Sequence, residues 1–148
     1  MKMKMFCILA VALCAAILPM QTRAEDEQRI ALVIGNSSYR SAPLRNPVND
    51  ATLMAETLKE LGFDVSLHTD MDRRGMRRAI SEFGGKLDES KGNAVALIFY
   101  AGHGVQISGE NYLIPVDAEI FSEVDIEIEG IKASTMLNTM AWSDSRMN

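Results

Sequence analysis

The chain has 148 residues, 47% of them hydrophobic, with 15 basic against 20 acidic side chains and a net charge of −5. That length suits one domain with a modest core, and the acidity argues against nucleic acid as a partner. Both cysteines, Cys7 and Cys14, fall within the first 14 residues.

Lys2 and Lys4 precede an apolar stretch from Met5 to Leu18, followed by Pro19 and a polar segment ending Thr22-Arg23-Ala24. A basic start, a short apolar centre and small residues before a cleavage point form a secretory signal. The stretch is shorter than the roughly 20 residues of a membrane span. Cleavage after Ala24 is therefore expected, giving an exported product, periplasmic or secreted, with no stable membrane anchor. Removal leaves 124 residues and, with Lys2, Lys4 and Arg23 gone and every acid retained, a net charge of −8. Residues 25–148 then hold no cysteine for a disulfide, a metal or catalysis.

Ile30 to Ile34 is a continuous apolar run, as in a parallel strand covered on both faces. Gly35-Asn36-Ser37-Ser38-Tyr39 forms the turn at its carboxyl end. Asn46-Pro47 starts a helix, with Ala51, Met54, Ala55, Leu58 and Leu61 on its apolar face and Gly62 at its end. Phe63, Val65 and Leu67 alternate with Asp64, Ser66 and His68, the pattern of an edge strand. Asp72 caps a second helix whose inner face is Met76, Ala79, Ile80, Phe83 and Leu87. Its Arg73, Arg74, Arg77 and Arg78 form a solvated face. Gly92-Asn93 leads into a third strand, Ala94 to Ala101, and this order predicts a parallel sheet with right-handed crossovers.

Beyond Gly102-His103-Gly104, residues 105–114 read as a hairpin turning at Gly109-Glu110. Between Pro115 and Gly130, Val124, Ile126 and Ile128 alternate with acids, which suggests a short exposed strand. Ser134 would cap a last helix that uses Leu137, Met140 and Ala141. The predicted fold is α/β, a mostly parallel three-layer arrangement with three strands, a hairpin and three helices.

His103 ends a buried strand between two glycines, at the sheet edge where open α/β folds place their chemistry. It has two readings: a turn residue, or an imidazole that moves protons beside the Gly104 amide, which can face an oxyanion. The Gly35 turn lacks the lysine of a Walker loop and the glycines of a dinucleotide fingerprint. Asp50 sits where a helix dipole favours a carboxylate. The acids between Asp117 and Glu129 could attract calcium, but they do not match a helix-loop-helix calcium loop, so a solvated face is expected. With two histidines and no cysteine left after cleavage, neither a metal nor another cofactor is expected.

Arg29 to Asn36 with Tyr39, Leu44 to Ala51, Phe99 to Gly104 and Asn111 to Asp117 together resemble the caspase-like cysteine peptidases, most closely their bacterial metacaspase branch. The resemblance spans nearly all of residues 25–148. It implies a mostly parallel sheet with helices on both faces. It also implies cleavage of peptide or protein substrates by a cysteine–histidine dyad. His103 takes the histidine's role, Gly104 supplies an oxyanion-hole amide, and Asp50 helps line a pocket for arginine or lysine before the scissile bond.

One departure bears on activity. The family carries its cysteine on the next strand, in an Asp-Ala-Cys-Arg type segment, which is expected just past Asn148. Residues 25–148 offer no replacement nucleophile. Two functions follow as expectations: the histidine-bearing part of an endopeptidase, with this chain alone inactive, or an inactive module that binds peptides or proteins. A flavodoxin-like or receiver-type domain fits the strand–helix order but not the Gly-His-Gly turn followed by a hairpin.

Overall fold

The computed structural model describes residues 27–142 and the two-residue strand 146–147. The expected signal, Cys7 and Cys14 lie outside the described residues. Among those described, no helix is long and apolar enough to cross a membrane.

The sheet is built on β1 (Gln28–Gly35), with β2 (Asp64–Thr69) on one side and β3 (Ala94–Ala101) on the other, and all three run parallel. β7 (Arg146–Met147) adds to the far edge of β3, giving the order β2-β1-β3-β7. β1 reads as one apolar run because both its faces are covered. Ile30, Leu32 and Ile34 point to α2 (Arg73–Glu89) and α4 (Ala133–Trp142), while Ala31 and Val33 point to α1 (Pro47–Glu60). The result is three layers, as expected. β2 sits at an edge, with Val65 and Leu67 half-buried against the α1 side.

Every residue predicted for the inner face of α2 is buried, and the Asp72 carboxylate accepts the Gly75 N–H at 2.6 Å as its cap. α1 starts at Pro47 after Asn46, without a side-chain cap, and Gly62 follows it at φ +82°. Leu61 lies beyond the last turn and is 55% exposed, so it does not belong to the buried face. His68 is half-buried. Arg73 departs from the solvated face: its guanidinium meets Glu129 at 3.4 Å and its N–H donates to Asp117.

The hairpin comprises β4 (Gly104–Ile107) and β5 (Glu110–Leu113), joined antiparallel with β6 (Ile131–Lys132) in a second small sheet. Its turn is Ser108-Gly109, one residue earlier than predicted. Both have positive φ, at 50° and 83°, the pairing that matches strand twist in a two-residue turn. The strand expected across Val124 to Ile128 is instead a helix, α3 (Glu123–Glu129), so the described residues hold four helices rather than three. Asp125 accepts the Ser122 N–H at 2.7 Å in a reciprocal capping box, and only Ile126 of the alternating residues is buried. The alternation carried a helix with one inward residue.

In α4, Ser134 lies inside the helix and donates to Glu110 at 3.0 Å rather than capping it. The buried residues are Met136 and Met140; Leu137 is 58% exposed and Ala141 is also exposed. A third cluster under the hairpin joins Tyr39, Tyr112, Ile114 and Ile126.

Helix α1 sits against the end of β1 through Gly35. A Cβ there would stand 2.6 Å from both the Ala51 Cβ and the Pro47 carbonyl oxygen. Gly35→Ala is expected to lower stability by about 1–3 kcal/mol, the usual cost of overpacking, measured as the shift in the urea midpoint.

Candidate functional site

The carboxyl ends of β1, β2 and β3 meet at one edge of the sheet, and the loops that follow them are fastened to one another. Asp70, at φ 51°, follows β2 directly and reaches to the loop after β1. Its carboxylate accepts the Ser37 N–H at 2.7 Å, the Ser38 N–H at 2.9 Å and the Ser38 hydroxyl at 2.8 Å. The Ser37 hydroxyl oxygen in turn accepts the Val48 N–H at 3.2 Å, tying the loop to the start of α1. Asn36 is fully buried: its Oδ1 accepts the Met71 N–H at 2.9 Å and its Nδ2 donates to the Ile114 carbonyl at 3.4 Å.

His103 is held from three directions. Its Nε2 lies 2.7 Å from the Ala42 carbonyl. Because that oxygen can only accept, Nε2 carries a proton, which makes Nδ1 the nitrogen that can hold a free lone pair. The Tyr39 ring packs against the imidazole with centroids 4.4 Å apart and a tilt of 58°. The His103 main chain is bound at both ends: its N–H donates to the Tyr39 hydroxyl at 2.9 Å, and its carbonyl accepts from the Ile114 N–H at 3.0 Å and the Tyr100 hydroxyl at 2.9 Å.

The Tyr39 hydroxyl takes a place in the hairpin ladder. His103 and Ile114 face each other one step beyond the Gly104–Leu113 pair. In a regular ladder they would exchange two hydrogen bonds. The Ile114 N–H makes one; the other is replaced by a relay, in which the His103 N–H meets the Tyr39 hydroxyl, itself 3.1 Å from the Ile114 carbonyl. The Tyr100 hydroxyl stands 3.1 Å from that of Tyr39 and 3.0 Å from the same carbonyl. Burial raises the Tyr39 hydroxyl pKa and, helped by Tyr39, that of Tyr100 further still. Both remain protonated donors.

This register also orients Gly104. With 103 and 114 forming a bonded pair, 104 and 113 form the alternate, unbonded pair, so the Gly104 N–H points away from β5. Gly102 is glycine for a steric reason: a Cβ there would lie 2.5 Å from both tyrosine hydroxyls. At Gly104 the nearest atom to a Cβ would be 3.6 Å away, ordinary contact.

A cavity of about 210 Å³ opens beside His103 and Gly104. Asp50 does not line it; that residue stands exposed on the first turn of α1. The structure thus brings His103 and Gly104 together and leaves Asp50 apart from their cavity. Among the described residues, no three His, Asp or Glu side chains converge as metal ligands. The sequence assigned no role to Ala42, Tyr39, Tyr100 or Asn36. The available signal for the last two was a tyrosine and an asparagine at the ends of buried strands, where a polar tip must find a partner.

Two expectations follow. Tyr39→Phe strands the His103 N–H and leaves the Ile114 carbonyl a donor short, and is expected to cost about 1–3 kcal/mol in a urea titration. Burial pushes the Asp70 carboxyl up, but the hydrogen bonds from Ser37 and Ser38 outweigh it and hold the group below its ordinary 3.8. The clamp's contribution is therefore complete above about pH 4 and is lost as pH falls through the lower folded value. Asp70→Asn, which tolerates the same backbone, is expected to flatten that part of the acid-unfolding profile.

The caspase domain model (peptidase C14) matches residues 28–141 of the chain. Human mucosa-associated lymphoid tissue lymphoma translocation protein 1 is 37% identical over 99 residues, covering 66% of this chain and 11% of its own length. Its mouse homologue is 36% identical over the same share of each. The chain thus spans about a tenth of the length of these relatives. These matches support the caspase assignment and lend nothing to the finer metacaspase branch. With its three-layer parallel sheet and matched residues running from β1 into α4, the chain belongs to the caspase domain family.

Proposed function

We propose that this domain supplies the histidine half of a cysteine endopeptidase. The observation that carries the reading is the way the ring of His103 is held, with Nε2 2.7 Å from the Ala42 carbonyl oxygen. Its Nε2–H is bound to the Ala42 carbonyl, so Nδ1 is the base, and the outward Gly104 N–H lies one residue away. Nδ1 takes the proton of a thiol, and the thiolate attacks the peptide carbonyl. The oxyanion that forms accepts from the Gly104 N–H. The imidazolium, steadied by the Ala42 carbonyl, gives its proton to the departing amine. Water then hydrolyses the thioester by the same proton path.

The open edge of β3 supports a source for the thiol. Among the described residues, β7 covers only Val95 and Ala96, and β3 is half-exposed from Leu97 onward. A strand continuing in this register would reach the level of Ala101 about four residues beyond Asn148. We place the nucleophile there, with Asp50 selecting a basic residue before the scissile bond. Export through the amino-terminal signal, periplasmic or secreted, belongs to the same proposal.

The 148-residue chain alone is expected to leave an arginine or lysine reporter peptide uncut. The product extended through the next strand is expected to cleave it, and His103→Ala to lower kcat by about 10²–10⁴-fold. Asp50→Asn is expected to weaken the preference for basic over neutral residues. An extended product that binds peptide without cleaving it would favour the second reading, an inactive peptide-binding module.

A further inference from the structure

The cavity beside His103 has a character that the dyad does not explain. Polar groups of Tyr39, Ser41 and His103 border it on one side, and the rest of its wall is aliphatic, formed by Ala42, Val105, Ile114, Ala118 and Ile120. Ile114 is buried, whereas Ile120 and Val105 are both 36% exposed and open to an incoming group. The one charged residue that lines it, Arg40, is paired with Glu119 at 3.0 Å, and both side chains are largely in solvent. A charged side chain entering beside the aliphatic wall would therefore give up water against apolar surface, with a cation nearby that already has a carboxylate partner. At about 210 Å³ it is smaller than the roughly 300–1,000 Å³ typical of whole-ligand sites, a size matched to one side chain.

The chemistry fixes which side chain that is. An imidazole that protonates the departing amine must lie beside the nitrogen it protonates. The residue bearing that nitrogen is the one after the scissile bond, and it is set down against His103. We propose that this cavity is the leaving-group-side pocket and receives an aliphatic side chain, leucine, isoleucine or valine, from the residue after the cleaved bond. The inference rests on the peptidase reading for the bond that is cut, but the pocket binds without cutting.

The test uses peptides that mimic the departing product: Leu-Gly-Gly and Val-Gly-Gly amides, with Asp-Gly-Gly amide as the contrast. They are titrated into the 148-residue chain while its backbone amide resonances are followed. Saturable shifts at Val105, Ala118 and Ile120 are expected for the leucine and valine peptides, with affinity at least tenfold weaker for the aspartate peptide. Ala118→Phe, which fills the cavity, is expected to abolish binding of the leucine peptide. Ile120→Ala, a change at a partly exposed wall, is expected to weaken it about tenfold with the remaining resonances in place. Equal affinity for the aspartate peptide, no saturable shift, or binding indifferent to both substitutions would overturn the proposal. Reporter cleavage by the extended product alongside any of these results removes the pocket and keeps the chemistry. Peptide binding of the expected pattern without cleavage keeps the pocket and removes the chemistry.

Discussion

The Ile114 carbonyl is the point on which the site depends. Tyr39 and Asn36 aim donors at it from the loop after β1 and from the end of β1, and the Tyr100 hydroxyl of β3 stands 3.0 Å away with its one proton divided between this carbonyl and that of His103. A buried carbonyl has two lone pairs and a high cost if left unpaired. Satisfying it with groups from separate segments draws those segments to one place. The tyrosine relay then does what two exchanged main-chain bonds would have done, while leaving space for a side chain to pass through the ladder.

That arrangement joins two packing systems. The main sheet is stabilised by burial on both faces of β1, and the hairpin has a separate cluster around Tyr39 and Tyr112. Segment 115–118 crosses between them: the Val116 N–H donates to the Met71 carbonyl at 3.1 Å and Asp117 accepts from Arg73. The histidine turn therefore lies where a rigid sheet meets a small accessory sheet, and its backbone is set by both.

How far the sequence disclosed this differs by element. β1 and α2 were legible because burial leaves a pattern in residue type: five apolar residues face inward from α2, and β1 is apolar from Ile30 to Ile34. The 123–129 segment misled because Val124, Ile126 and Ile128 alternate, while the deciding interaction is a local one between Ser122 and Asp125. α4 misled for a related reason, since its inward residues are methionines one turn apart and Leu137 between them faces water. At the site, the Gly102-His103-Gly104 turn stood out against an apolar strand. Its partners did not: Tyr39 and Tyr100 resemble ordinary core aromatics, and it is their hydroxyl oxygens, with the Tyr39 ring against the imidazole, that do the positioning.

The bond from His103 to Ala42 has a consequence for how such a site changes over generations. Its acceptor belongs to the main chain, so exchanging the Ala42 side chain leaves the oxygen in place. Pro43 follows, and proline biases the residue before it toward extended conformations, which narrows the directions open to that carbonyl. The vulnerable property of this loop is thus its length and its proline rather than its lettering. An insertion or deletion between Tyr39 and Leu44 would turn the imidazole loose where most point substitutions could not.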